Sequence, residues 1–158
     1  MTNIKRKRPV ISEPNVGKRR HDVYSGVIRQ YHYAMASGFY IEAIALMESI
    51  IADRMESMSN EISQTSNFSH KTLEKLLCFL LGEKQKNEIN EELYKCLEEI
   101  AVWKDARNDA IHEMAKILDE QFDYHYDRLE EYADDGYDIF RKLDKAIGKW
   151  RKNNETNK

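Results

Sequence analysis

Three polar residues in the stretch WKDARNDAIHEMAK, residues 103–116, have the types and the spacing to act on a phosphodiester. If the stretch is helical, Asn108 and His112 stack on one face, and Arg107 projects about 100° from Asn108 and about 140° from His112. An imidazole can move a proton to or from a ribose 2′-OH or a leaving oxygen, and a guanidinium can neutralise charge developing on phosphorus. Arg107, Asn108 and His112 are therefore candidate catalytic residues acting on RNA, with no metal or cofactor required. Lys104 is a further cation that could hold the RNA. The alternative is structural: Arg107 pairs with Asp105 or near Glu113 at the surface, and His112 is an ordinary histidine near a helix end.

Two charged residues lie on or beside the apolar face of an earlier predicted helix. In FYIEAIALMESIIADRMESMSN, residues 39–60, Arg54 falls inside the apolar arc and Glu48 lies at its edge. A charge on an apolar face is costly unless it is paired. One interpretation makes Glu48 and Arg54 supporting residues beside the RNA motif; the other makes them a buried structural pair or lets the arginine snorkel outward. Asp53 falls on the polar side and is expected to face solvent.

Hydrophobic spacing predicts an all-α protein in which five amphipathic helices form a single bundle. The chain has no proline after Pro14, and its glycines are sparse. Helices are predicted over 22–37, 39–60, 70–82, a segment from 88 through the motif, and 121–150. Ser69 is expected to cap the third helix. The last helix would be roughly 45 Å long, so part of its face is expected to pack on a second subunit.

Charge divides the chain into a basic N-terminal arm, residues 1–20, and a helical bundle, residues 21–158. The arm has seven lysines and arginines against one glutamate, a net charge of +6, and the remainder has 18 basic against 27 acidic residues, a net of −9. The arm holds both prolines and is expected to be disordered; it either binds a polyanion or aids solubility. The acidic stretch 123–138 argues against general nucleic-acid affinity of the bundle. RNA would have to be held by Arg107, by Lys104, by the basic arm, or by the basic end at 141–152.

Three features indicate a cytoplasmic protein. No apolar run approaches the ~20 residues that a transmembrane helix needs, so no membrane contact is expected. The N-terminus has no apolar region behind its charges and does not resemble a secretory signal. Cys78 and Cys96 match no metal spacing and are expected to be reduced thiols in the core.

The sequence RNDAIH, residues 107–112, resembles the Arg-x4–6-His signature of the HEPN domain superfamily, in which a polar residue, often Asn, follows the Arg. Trp103 precedes the motif at the end of a long predicted helix, as the family pattern leads one to expect. The segment SGFYIEAIALMESIIADR, residues 37–54, looks like an early HEPN helix. The resemblance covers roughly residues 22–150 and implies a HEPN-like helical bundle.

The resemblance implies a metal-independent endoribonuclease, a toxin or phage-defence effector, that cleaves RNA by 2′-OH attack and leaves a cyclic phosphate. It further implies a homodimer whose two motifs meet in one composite site, and an antitoxin protein as a further partner. By position, Arg107 would stabilise the phosphate, Asn108 would be its polar neighbour, and His112 would be the acid or base. Met114 stands where one subclass of HEPN toxins has a Tyr that a partner nucleotidyltransferase modifies, which argues against that form of regulation.

Two other functions fit parts of the sequence. A HEPN-like dimer without catalysis could bind a nucleic acid or a partner protein. A di-metal carboxylate bundle would need Glu-x-x-His on two helices and a Glu on each of two others, whereas the chain offers only Asp109-x-x-His112. We therefore expect no metal site.

Overall fold

Five α-helices and one 3₁₀ turn account for most of the described chain. In the computed structural model the described residues are 16–63, 65–86, 88–116 and 121–156, and these ranges contain no β-strand. The elements are α1 (Val16–Ala36), α2 (Tyr40–Ile62), α3 (Leu73–Gly82), a 3₁₀ turn (Glu83–Lys86), α4 (Glu91–Met114) and α5 (Phe122–Thr156). The architecture confirms the predicted all-α bundle of five helices.

The first helix begins six residues before its predicted start, at Val16 instead of residue 22. Residues 16–21 contain several lysines and arginines, which favour helices, and no proline follows Pro14. The last residues of the predicted arm therefore belong to α1. The rest of the arm, residues 1–15, lies outside the described residues.

Side-chain caps fix where α3 and α4 begin. The Thr72 hydroxyl accepts a hydrogen bond from the Lys75 amide at 3.4 Å, and the Asn90 side chain accepts one from the Leu93 amide at 2.9 Å. Each cap satisfies an amide that has no partner within the helix. The prediction that Ser69 caps the third helix was wrong, because Ser69 lies in a turn and the helix starts only after Thr72.

A glycine turn joins α1 to α2. Gly38 has a φ of +74°, in the left-handed region that favours glycine. The Phe39 amide donates to the Ala34 carbonyl at 2.8 Å and the Gly38 amide to the Met35 carbonyl at 3.1 Å, the two bonds of a Schellman helix end. The Gly38 carbonyl also accepts the Tyr126 hydroxyl, which ties this turn to the start of α5.

Side-chain contacts define the directions of the helices. Helix α2 runs parallel to α5, as shown by the contacts Tyr40–Tyr126, Arg54–Asp144 and Glu61–Arg151. Helices α1 and α4 run antiparallel to α5, as shown by Tyr24–Phe140, Tyr31–Asp134, Glu92–Lys149 and Glu113–Arg128. One end of the bundle therefore holds the end of α4 and the start of α5. The opposite end holds the start of α1 and the ends of α2 and α5.

Helix α5 contributes a buried stripe over most of its 35 residues. Its fully or nearly buried residues include Leu129, Ala133, Gly136, Phe140, Leu143, Ile147 and Trp150. This stripe packs on α2 and α4 of the same chain, so its apolar character does not by itself require a second subunit. The first turn differs, because Phe122 is 45% and Tyr124 66% exposed.

A close helix crossing occurs at Gly136 in the middle of α5. A Cβ atom at this position would lie 2.7 Å from Cζ2 of Trp103 and 3.3 Å from Cβ of Met47. The Trp103 indole N–H donates to the Tyr132 carbonyl at 2.8 Å. Because glycine has no Cβ, Trp103 of α4 and Met47 of α2 can both pack against the same turn of α5. This crossing positions residues 107–112, which follow Trp103 on α4.

The two cysteines differ in exposure. Cys96 is buried, as expected, but Cys78 is exposed, so its predicted core position was wrong. The core side of α3 is formed by Leu73, Leu76, Leu77 and Leu80, and Cys78 lies outside that stripe. None of the described helices is both long enough and apolar enough to cross a lipid bilayer.

Candidate active site

Arg107 turns into the bundle and bridges two helices. Its side chain is only 11% exposed, and Nη2 forms an ion pair with Oε1 of Glu48 on α2. The guanidinium carbon lies 5.6 Å from the centroid of the Trp103 ring, within cation–π range. Two contacts from different helices therefore hold the cation. The structure brings the predicted catalytic arginine and the predicted supporting residue Glu48 together.

The other two motif residues point progressively outward. Asn108 is half-buried and His112 is exposed, in the last turn of α4. Among the described residues, neither side chain has a hydrogen-bonding or ionic partner. Both polar groups are therefore available to a ligand or to another copy of the chain.

The helix geometry explains this gradient in exposure. At about 100° per residue, Asn108 lies about 100° and His112 about 140° from Arg107, with a rise of about 7.5 Å between Arg107 and His112. The arginine consequently lies on the core side of α4, and the histidine lies on the solvent side. Within one chain, the side chains of Arg107 and His112 therefore lie at opposite edges of one surface of α4, and they do not point at the same small group.

Lys104 lies between these edges and is already paired. Its side chain is 14% exposed and forms ion pairs with Glu74 of α3 and, at 3.0 Å, with Asp105. The hydrogen bonds to Glu74 and then to Asp105 raise the pKa of Lys104, so it remains charged. Two carboxylates thus compete with any RNA phosphate that approaches this lysine.

Arg54, the second predicted supporting residue, contacts other parts of the bundle. It is 9% exposed, its Nη2 lies 2.5 Å from Oδ1 of Asp144 on α5, and its guanidinium carbon lies 5.9 Å from the Tyr24 ring centroid. These contacts are those of a buried structural pair, and none of them is with Arg107, Asn108 or His112.

Asp53 was expected to face solvent, and that expectation was wrong. Its side chain is 27% exposed, accepts the Tyr24 hydroxyl at 2.6 Å and lies 3.2 Å from Nε of Arg20. The wheel of α2 shows only which side is apolar, whereas α1 packs over the adjoining polar side. Burial, followed by the hydrogen bond to Asp53, raises the pKa of Tyr24, so this hydroxyl stays protonated and donates.

A second polar cluster beside the motif was not predicted. Oε2 of Glu113 lies 3.2 Å from Nη1 of Arg128 and 3.4 Å from Nδ1 of His125, whose side chain is 15% exposed. Arg128 also donates to the Tyr132 hydroxyl at 3.0 Å. Only one feature of the sequence could have indicated this contact. Glu113 and His125 lie equally far before and after residue 119, so they would face each other if α4 and α5 pack antiparallel.

Among the described residues, no group of three histidine, cysteine, aspartate or glutamate side chains is arranged to hold a metal ion. The chain matches no protein-family model, no curated protein and no solved structure.

Proposed function

We propose that this chain is a metal-independent endoribonuclease of HEPN type, a toxin or phage-defence effector that acts as a homodimer. One observation carries the proposal: Arg107 is fixed by Glu48 and Trp103 at the edge of α4, and the next outward side chains are the unpaired Asn108 and His112. An unpaired amide and an unpaired imidazole on the surface, and a rigidly held guanidinium on the same helix, are the groups that RNA transesterification uses.

The reaction would proceed without water or metal. The ribose O2′ loses its proton to an imidazole and attacks the adjacent phosphorus, while the P–O5′ bond breaks and a proton is delivered to O5′. The products are a 2′,3′-cyclic phosphate and a 5′-hydroxyl. Arg107 would neutralise the additional negative charge on the five-coordinate phosphorus, and Asn108 would orient the phosphate or the imidazole.

The separation of Arg107 from His112 supports a composite site. Because the two side chains lie about 140° apart on α4, one chain offers a base or acid without a nearby phosphate-binding cation. A second α4 facing the first would bring each His112 toward the other chain's motif and would supply two imidazoles, one as base and one as acid. Cleavage per chain should consequently rise with protein concentration in parallel with the dimer fraction measured by analytical ultracentrifugation.

The alternative is a non-catalytic HEPN-like dimer that binds a nucleic acid or a partner protein. The observation that favours it is that Arg107 already has a carboxylate partner and an 11% exposed side chain. An RNA phosphate would have to compete with Glu48 for this guanidinium. In that case the chain binds RNA or a protein but leaves RNA intact.

The decisive test identifies the products formed by the purified full chain. End-labelled RNA is incubated with the protein in EDTA, and the new termini are analysed by mass spectrometry. We expect cyclic phosphate and 5′-hydroxyl ends, and no cleavage where the attacking ribose is replaced by 2′-deoxyribose. RNA that is bound but uncut favours the alternative, and cutting at the deoxy position contradicts the 2′-OH mechanism.

A further inference from the structure

A basic cavity lies at the end of the bundle opposite the motif. It has a volume of about 220 Å³ and forms where the start of α1 meets the ends of α2 and α5. Its lining residues are Arg20, His21, Tyr24, Arg54, Asp144 and Arg151. Three guanidinium groups and one carboxylate face this small space, and each guanidinium is also paired with a carboxylate of its own.

Two of the arginines come from distant parts of the chain and converge on one hydroxyl. Nη1 of Arg20 lies 3.1 Å and Nη2 of Arg151 lies 3.2 Å from Oγ of Ser57. Two like charges approach the same neutral oxygen, an arrangement that an anion between them would stabilise. The third arginine, Arg54, is 9% exposed, and its Nε is buried without a hydrogen-bond partner among the described residues.

Each of these arginines is paired with a carboxylate, but the pairs do not use all of the N–H donors of the guanidinium groups. Arg20 pairs with Asp53, and Arg151 pairs with Glu61, neither of which lines the cavity. A guanidinium has five N–H donors, and one carboxylate engages at most two of them. Arg20 uses Nε for Asp53 and Nη1 for Ser57, and Arg151 uses Nε and Nη2 for Glu61 and Ser57, so each keeps one terminal nitrogen without a partner among the described residues. The pairs therefore orient the side chains and leave donors for a ligand.

We propose that this cavity binds a phosphoryl group, in the form of inorganic phosphate, pyrophosphate or a terminal or backbone phosphate of RNA. Planar guanidinium forks match the oxygens of a phosphate, and several converging forks favour its charge over that of a monovalent anion. The volume accommodates a phosphate with bound water, since a water occupies about 30 Å³. The site is independent of RNA cleavage, because it involves none of Arg107, Asn108 and His112.

The test is isothermal titration of the full chain with inorganic pyrophosphate. Arg20→Gln and Arg151→Gln should each weaken binding at least tenfold, because each removes one charged fork. Arg141→Gln is the matched control, an exposed arginine on α5 beside Tyr137 and outside the cavity. Arg20 and Arg151 are 33% and 28% exposed, so both variants are expected to fold, which circular dichroism checks.

A competition experiment separates the two sources of phosphate. If single-stranded RNA displaces pyrophosphate from the wild-type chain, the cavity takes nucleic-acid phosphates; if it does not, the cavity takes a small phosphate. Absence of pyrophosphate binding by the wild type, or equal affinity of Arg151→Gln and Arg141→Gln, overturns the proposal. Cleavage is not a readout here, so the failure of one proposal leaves the other unaffected.

Discussion

Arg107 of α4 and Glu48 of α2 form an ion pair between two helices that both pack on α5. The pair limits the positions that the guanidinium can adopt, and the Trp103 ring beneath it limits them further. If Arg107 stabilises charge on a phosphate, Glu48 is a positioning residue. If Arg107 is purely structural, Glu48 matters only for stability.

Replacing Glu48 separates these two roles. We expect Glu48→Ala to reduce RNA cleavage roughly ten- to hundredfold, because a displaced cation stabilises the transition state poorly. Glu48→Gln, which can still accept a hydrogen bond, should lose less. The loss of unfolding free energy should be about 1–2 kcal/mol, because the change leaves the largely buried Arg107 without its carboxylate, although Glu48 itself is 34% exposed.

The matched control for this change is Glu42→Ala, in the first turn of the same helix, where the carboxylate accepts from Gln30 at 3.1 Å. It should cleave RNA at the wild-type rate. Cleavage by Glu48→Ala at the wild-type rate would show that Glu48 matters only for stability, and faster cleavage would show that Glu48 restrains the arginine unproductively.

The crossing at Gly136 should tolerate no added side chain. In Gly136→Ala the new Cβ would lie 2.7 Å from Trp103, and such overpacking costs about 1–3 kcal/mol. The helix propensity of alanine offsets up to about 1 kcal/mol of that cost. Gly148→Ala on the same helix, with no atom within 4 Å of its Cβ, should be stabilised instead. Urea unfolding followed by circular dichroism measures both, and equal shifts would contradict the close crossing.

The Arg54–Asp144 pair should behave as a structural pair. Asp144→Asn leaves a largely buried cation without its carboxylate, and we expect a loss of about 1–2 kcal/mol, reduced by the 48% exposure of Asp144. The double change Arg54→Met with Asp144→Asn should recover most of the stability, because it removes both charges. Thermal unfolding compares these variants with Asp138→Asn, an exposed control. Equal melting temperatures for Asp144→Asn and Asp138→Asn would contradict a structural role of the Arg54–Asp144 pair.

Asp135 should make stability depend on pH. Partial burial of its carboxyl group, and then repulsion from Glu131, Asp138 and Asp134, raises its pKa in the folded state. The folded chain therefore holds a proton that the unfolded chain has already released, so stability falls as pH rises through the window just above the unfolded pKa of about 3.9.

We expect Asp135→Asn to stabilise the fold at pH 7 and to have no effect at pH 3.5. The gain should be about half a kcal/mol or less, because solvent screens this exposed side chain. Urea midpoints at the two pH values measure the effect, and 0.5 M NaCl should reduce it. A gain at pH 3.5 as large as that at pH 7 would be inconsistent with a charge effect.

The sequence predicts helices well in this chain because apolar spacing and sparse glycine and proline are local properties. Helix starts are less predictable, as α1 shows, since lysines and arginines are compatible with both an arm and a helix. The position of α3 depended on which of two polar residues, Ser69 or Thr72, directs its oxygen at a free amide. Spacing alone does not decide that choice.

The partners of charged residues were predictable only in part. The position of Glu48 at the edge of the apolar face indicated a paired charge, but its pairing with Arg107 depends on how α2 and α4 meet at Gly136. The contact of Arg54 with Asp144 joins residues 90 positions apart, and no periodicity relates them. Asp53 was misjudged because one helix wheel does not show that α1 covers a second side of α2.

The most direct test of the central claim compares two histidine replacements in a single-turnover RNA cleavage assay in EDTA. His112→Asn removes the predicted acid or base, whereas His70→Asn changes an exposed histidine in the turn before α3, at a φ of 61° that asparagine tolerates. We predict that His112→Asn abolishes cleavage while His70→Asn cleaves at the wild-type rate, with both variants folded. Equal rates for the two variants would contradict a catalytic role for His112.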